Sequence, residues 1–88
     1  MVIYKYKLKV EIIQRIMMPA NARILSIQVQ GDEICLWAEV YVDRDNQLEE
    51  HTLIMRATGQ PVAKGSEVYR ATVQLNSYVW HIYEEPHL

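Results

Sequence analysis

Three lysines stand at alternate positions near the start of the chain, Lys5, Lys7 and Lys9, with Tyr4 and Tyr6 interleaved. In an extended segment alternate residues share a face, so the three ammonium groups form one row. A cationic row beside flat rings can hold phosphates and stack on bases, which is the chemistry of a nucleotide or single-strand site. Arg15 and Arg23 extend the basic character, opposed only by Glu11 over residues 1–23. The competing reading is a solvated strand face, or edge lysines that keep one sheet from adding to another.

Acid is concentrated elsewhere, in Asp43, Asp45, Glu49 and Glu50. Such a run can meet a basic protein surface or imitate phosphates, and it can equally be a solvated loop. The histidines, His51, His81 and His87, make no ligand pair at metal spacing, and Cys35 is the one cysteine. No metal or other cofactor is expected. A cysteine nucleophile needs an adjacent base and an oxyanion pocket. Cys35 sits between Ile34 and Leu36 with no glycine-rich turn around it, so it reads as a buried structural thiol. The chain carries no phosphate loop, dinucleotide fingerprint or nucleophile elbow. The adjacent acids Glu84 and Glu85 point to opposite sides if extended. The expectation is a protein that is not an enzyme.

Composition sets the frame for these residues. The chain has 88 residues, half of them hydrophobic and 23% charged, a globular balance. One domain over residues 1–88 is expected, with 85–88 a loose tail. A chain of this length buries about 60–65% of its unfolded surface. The formal net charge of −2 argues against a general nucleic-acid binder that works by neutralising phosphates. A lone cysteine gives no internal disulfide. The start, MVIYKYKLKV, does not read as a signal peptide, and no apolar run has the length of a membrane span. A soluble intracellular protein is expected.

The elements that must position the candidate residues follow a period of two. Residues 4–10 put Tyr4, Tyr6, Leu8 and Val10 on one face and the lysines on the other, a half-buried strand. Ile12, Ile13, Ile16 and Met17 have helical spacing, but the stretch before Pro19 is short, and a strand at 14–18 is preferred. Residues 24–30 alternate Leu25, Ile27 and Val29 against Ser26, Gln28 and Gln30. Gly31, Asp32 and Glu33 then turn the chain into 34–42, which predicts an antiparallel hairpin. Ile34, Leu36, Ala38, Val40 and Val42 are expected to face the core, with Cys35, Trp37, Glu39 and Tyr41 opposite. Residues 43–50 read as a loop, 51–58 as a strand, and 62–67 as a second loop. Two more strands are expected at 68–75 and 78–84, joined by Asn76 and Ser77. The pattern predicts an all-β protein, a small antiparallel sandwich or barrel of six to seven strands.

The rings sharpen the candidate site. There are six tyrosines and two tryptophans but no phenylalanine, and rings with a polar handle favour half-buried faces and interfaces. In the last strand Tyr78, Trp80 and Ile82 share one face, and Val79, His81 and Tyr83 the other. Both faces are mostly apolar, so His81 reads as a hydrogen-bonded packing residue rather than a catalyst. The candidate ligand- or partner-binding residues are Tyr4, Lys5, Lys7, Lys9, Trp37, Tyr41, His81 and Tyr83. A small sheet with apolar residues on both faces also calls for cover, which makes a homo-oligomer a further expectation.

Several stretches taken together resemble a family of small, uncharacterised bacteriophage proteins. They are YKYKLKV, MPANARILSIQVQ running into ICLWAEV, RATGQPV, and VWHIYE. The matches fall at Met18 and Pro19; at Ile24, Leu25, Ser26 and Val29; at Leu36, Trp37 and Ala38; at Thr58, Gly59 and Pro61; and at His81 and Glu84. Ala57 departs from the pattern, which has a glycine there. The resemblance covers residues 4–84 and implies a phage origin and residence in the cytoplasm of a bacterial host. It brings no catalytic residues. By analogy of setting and size, it implies a binding protein that inhibits a host protein, a bacterial defence component being one such target. The alternatives are a sponge that sequesters a small nucleotide signal through the lysine row, and a self-associating virion protein.

Overall fold

The computed structural model describes residues 1–42, 47–62 and 64–86. The described residues form seven strands and no helix. They are β1 (Val2–Leu8), β2 (Ile13–Pro19), β3 (Arg23–Gln30), β4 (Glu33–Val40), β5 (Leu48–Ala57), β6 (Val68–Leu75) and β7 (Tyr78–Glu84). Two antiparallel sheets result, with orders β1-β4-β3 and β2-β5-β7-β6. The fold is therefore a sandwich and not a closed barrel, because among the described residues no strand joins one sheet to the other. The expected all-β class and the strand at 14–18 both hold; the latter runs one residue further at each end.

Two hairpins give each sheet its local start. Gln30 pairs with Glu33 and Leu75 with Tyr78, so each loop has two residues. The first loop residue has positive φ in both, 65° at Gly31 and 57° at Asn76. Two-residue hairpins favour such backbone because it matches the strand twist, and glycine and asparagine adopt it most readily. Asn21, φ 65°, turns the chain between β2 and β3 in the same way.

The core is the period-two pattern made solid. Ile34, Leu36, Ala38 and Val40 on β4 meet Leu53, Met55 and Ile82 of the second sheet, all within one buried cluster. Met18, Leu8, Ile27 and Val73 complete it. Cys35 is a buried free thiol, on the outer face of β4 beside Lys7 and Gln28.

The departures have local causes. Leu25 was expected beside Ile27 and Val29, but a β-bulge between Ile24 and Ser26 makes it the extra residue and leaves it exposed. Ile24 takes the inward place, opposite Ala38. Val10 and Val42 were expected inward too. Both lie beyond their strands' ends and are exposed. Glu49 and Glu50 belong to β5, not to a loop, whereas Asp43 and Asp45 fall outside the described residues. Glu85 is not loose, since its N–H donates to the Thr52 carbonyl at 3.0 Å; His87 and Leu88 are outside the described residues. Ala57 ends β5 as an ordinary strand residue, and the turn is made at Gly59, φ 95°.

Candidate functional site

The eight candidate residues are not brought together. Lys5, Lys7 and Trp37 share the outer face of the three-stranded sheet, where Lys5 pairs with Trp37 and Lys7 with Cys35. Tyr4 points to the opposite side of β1, opposite Ala38. Lys9 and Tyr41 lie just beyond the ends of β1 and β4. His81 and Tyr83 occupy the outer face of the other sheet, opposite Arg56 and Ile54, on the far side of the molecule.

The lysines are engaged along their own sheet. Lys5 Nζ donates to Gln30 Oε1 at 2.6 Å, and Lys7 Nζ is 3.5 Å from Glu33 Oε2. Arg23 reaches Glu39 on the same face at 3.5 Å, whereas Arg15 lies on the other sheet, 3.2 Å from Glu50. The basic stretch of residues 1–23 is thus divided between two sheets and interleaved with acid. Exposed pairs of this kind contribute about 0–1 kcal/mol each, so the lysines remain movable.

His81 is held at both ring nitrogens. Nε2 is 2.8 Å from Thr58 Oγ1 and Nδ1 is 3.0 Å from Thr72 Oγ1, whose other partner is the Tyr69 hydroxyl at 2.6 Å. Tyr69 in turn meets Tyr83 edge to face, with ring centroids 5.6 Å apart. The row is a hydrogen-bonded ladder along the outer face of the sheet.

A second cluster escaped the sequence reading. Glu84 on β7 and His51 on β5 are buried on the inner face, with His51 Nδ1 2.6 Å from Glu84 Oε2. Arg70 donates to Glu84 Oε1 from Nε at 2.9 Å and from an Nη at 2.6 Å. A bulge between Tyr69 and Ala71 makes Arg70 the extra residue of β6, and bulges re-aim side chains in this way. Burial alone would raise the Glu84 carboxyl, but the hydrogen bonds and charge of His51 and Arg70 outweigh it and hold its pKa below the ordinary 4.5. The cluster floors a cleft of about 390 Å³ that Asn21, Glu49, Glu85 and Pro86 also line. Glu49 Oε1 accepts the Asn21 N–H at 2.6 Å. Ala22 and Val68 complete the lining.

The other feature is apolar. Val2 pairs with Val40, so the start of β1 and the residues after β4 reach the same end of the sheet. Met1, Val2, Ile3, Tyr4, Tyr41 and Val42 are all exposed there, from 41% at Tyr4 to 69% at Met1. Tyr4 and Tyr6 meet edge to face at 6.5 Å. Partial burial, and the neighbouring Tyr4, hold the Tyr6 hydroxyl above its ordinary pKa of 10.0.

The model of one protein family, a domain of unknown function named DUF7352, matches residues 1–88, the whole chain. The chain belongs to DUF7352. No curated protein and no solved structure gave a match to it. For this DUF7352 chain, the reading of function therefore rests on its own residues. Its two prominent features are the ionic cleft, whose carboxylate is already satisfied from within, and the apolar end of β1, which is covered by nothing among the described residues.

Proposed function

We propose that the chain is a small non-enzymatic accessory protein of a bacteriophage that works in the host cytoplasm by binding, and thereby inhibiting, a host protein. A component of antiphage defence is the first class of target to test. The observation that carries the reading is the apolar end formed by Met1, Val2, Ile3, Tyr4, Tyr41 and Val42. Contiguous exposed apolar residues, tyrosines among them, beside a polar rim favour a protein partner. The rim is supplied by Lys5 and by Glu39, which stands opposite Ile3 and pairs with Arg23 at 3.5 Å. The nucleotide-sponge alternative draws less support, because Tyr4 and Tyr6, opposite Ala38 and Leu36, lie on the other face of β1 from Lys5 and Lys7.

The test is affinity capture from bacterial lysate with the wild type and with an Ile3→Glu/Tyr41→Glu variant. Both residues are exposed, so the variant is expected to fold with a Tm close to the wild type. The expected result is a host protein retained in stoichiometric amount by the wild type and lost by the variant. Retention of nothing specific, or equal retention by both proteins, would overturn the reading.

A further inference from the structure

Taking the binding-protein reading as given, we propose that the free edge of β1 is the docking strand, and that it takes an extended partner segment in which acidic and apolar residues alternate. Among the described residues the sandwich has four edge strands, β1 and β3 in one sheet and β2 and β6 in the other. Two of them are interrupted by bulges, at Leu25 in β3 and at Arg70 in β6. Bulges twist an edge and break the repeat that an incoming strand must match. β2 is obstructed at both ends. At its start the Gln14 side chain bonds the Lys9 backbone, donating to its carbonyl at 2.7 Å and accepting its N–H at 3.0 Å. At its finish stands Pro19, which has no N–H to donate.

β1 has none of these guards. Its seven residues run in unbroken register with β4, from Val2 opposite Val40 to Leu8 opposite Ile34. Among the described residues β4 is its one strand partner. Alternate N–H and C=O groups along its outer edge are therefore available to an added strand.

Side chains select the occupant. In an antiparallel pair, residues directly opposite one another lie on the same face and interact. An added strand would set every second residue beside Lys5 and Lys7, and the residues between beside Val2, Tyr4 and Tyr6. The first set is favourable when acidic, and the second when apolar. Val2 and Tyr4 are exposed while Tyr6 is half-buried, so the apolar side of the groove is open. The ammonium groups are solvent-exposed and can exchange Gln30 and Glu33 for a partner's carboxylates.

The same pattern argues against a second copy of this chain. Pairing β1 with its copy over its full length, Val2–Leu8, sets Tyr4 opposite Tyr6 and Lys5 opposite the copy's Lys5, which is repulsive. The lysine row thus rejects its own kind and basic strands, and admits an acidic one.

The experiment uses the whole chain and two fluorescent octapeptides, one alternating glutamate and valine, the other lysine and valine. Anisotropy at low salt is expected to show the glutamate peptide binding at least tenfold more tightly. A Lys5→Glu/Lys7→Glu variant should invert that preference. Amide NMR shifts caused by the glutamate peptide should centre on residues 2–8. The inference is overturned by absent or equal binding, by a preference the double variant leaves unchanged, or by shifts centred on another edge. It is also overturned if light scattering shows a wild-type dimer that Lys5→Glu/Lys7→Glu alters. Capture separates the two proposals. A host protein lost by Ile3→Glu/Tyr41→Glu but retained by Lys5→Glu/Lys7→Glu overturns the edge-strand inference and spares the function. Capture of nothing overturns the function, and the peptide result still decides the edge.

Discussion

The molecule carries two kinds of charge, and they behave in opposite ways. On the outer face of the three-stranded sheet, Lys5, Lys7 and Arg23 meet Gln30, Glu33 and Glu39 in water. At one end of the inner face, Glu84 is bonded by His51 and Arg70 and is almost sealed from solvent. The exposed set announces itself in the sequence by its period, yet each contact is weak because water competes for both partners. The buried set is scattered singly over three strands and forms no run of like charge, yet losing one member strands an uncompensated charge in a low-dielectric site. Conspicuous charge on this chain is therefore suited to recognition, while inconspicuous charge fixes the fold.

The largest effect expected from breaking this contrast is at Glu84. Glu84→Ala should cost about 3–5 kcal/mol, a large part of a small domain's total stability, because His51 and Arg70 lose their shared acceptor. Urea denaturation measures it, and a cost below about 1 kcal/mol would place the cluster with the surface pairs. Arg70→Met should cost less, about 1–3 kcal/mol, since the Arg70 side chain is about a third exposed and His51 still bonds the carboxylate.

Acid should distinguish the two sets as well. The Glu84 carboxyl is held below its ordinary value of 4.5 in the folded chain. Its contribution is therefore complete above that value and is lost as pH falls through the folded pKa. Stability of the wild type should drop below about pH 4.5 by a component that Glu84→Gln lacks. Parallel pH profiles for the two proteins would contradict the assignment. The smallest effect is expected on the lysine face. A double-mutant cycle on Lys7 and Glu33 should give a coupling of about 0–1 kcal/mol that disappears in high salt.

The sequence made the fold legible wherever one face of a strand was consistently apolar. β4 is the clearest case: Ile34, Leu36, Ala38 and Val40 all turned inward, as alternation required. β6 and β7 were delimited to the residue, because Asn76 and Ser77 make a recognisable two-residue turn. Legibility failed at the bulges. A single inserted residue inverts the parity of the strand beyond it, so Leu25 was assigned to the wrong face and Arg70 gave no sign that it turns toward Glu84. His51 and Glu84 could have been found. His51 shares its parity with Leu53 and Met55, and Glu84 with Trp80 and Ile82, so alternation alone put two ionisable groups on the buried face. The candidate binding residues were spread over both outer faces and one end because composition reports which rings exist, not which sheet holds them.

Native mass spectrometry of the protein purified from bacterial cells tests the central claim most directly, since it reports oligomeric state and retained partner together. The account predicts the chain in complex with a host polypeptide, carrying no adduct of nucleotide size. A nucleotide-sized mass on the wild type that Lys5→Glu/Lys7→Glu removes, with no polypeptide retained, would contradict it and make the lysine row a ligand site.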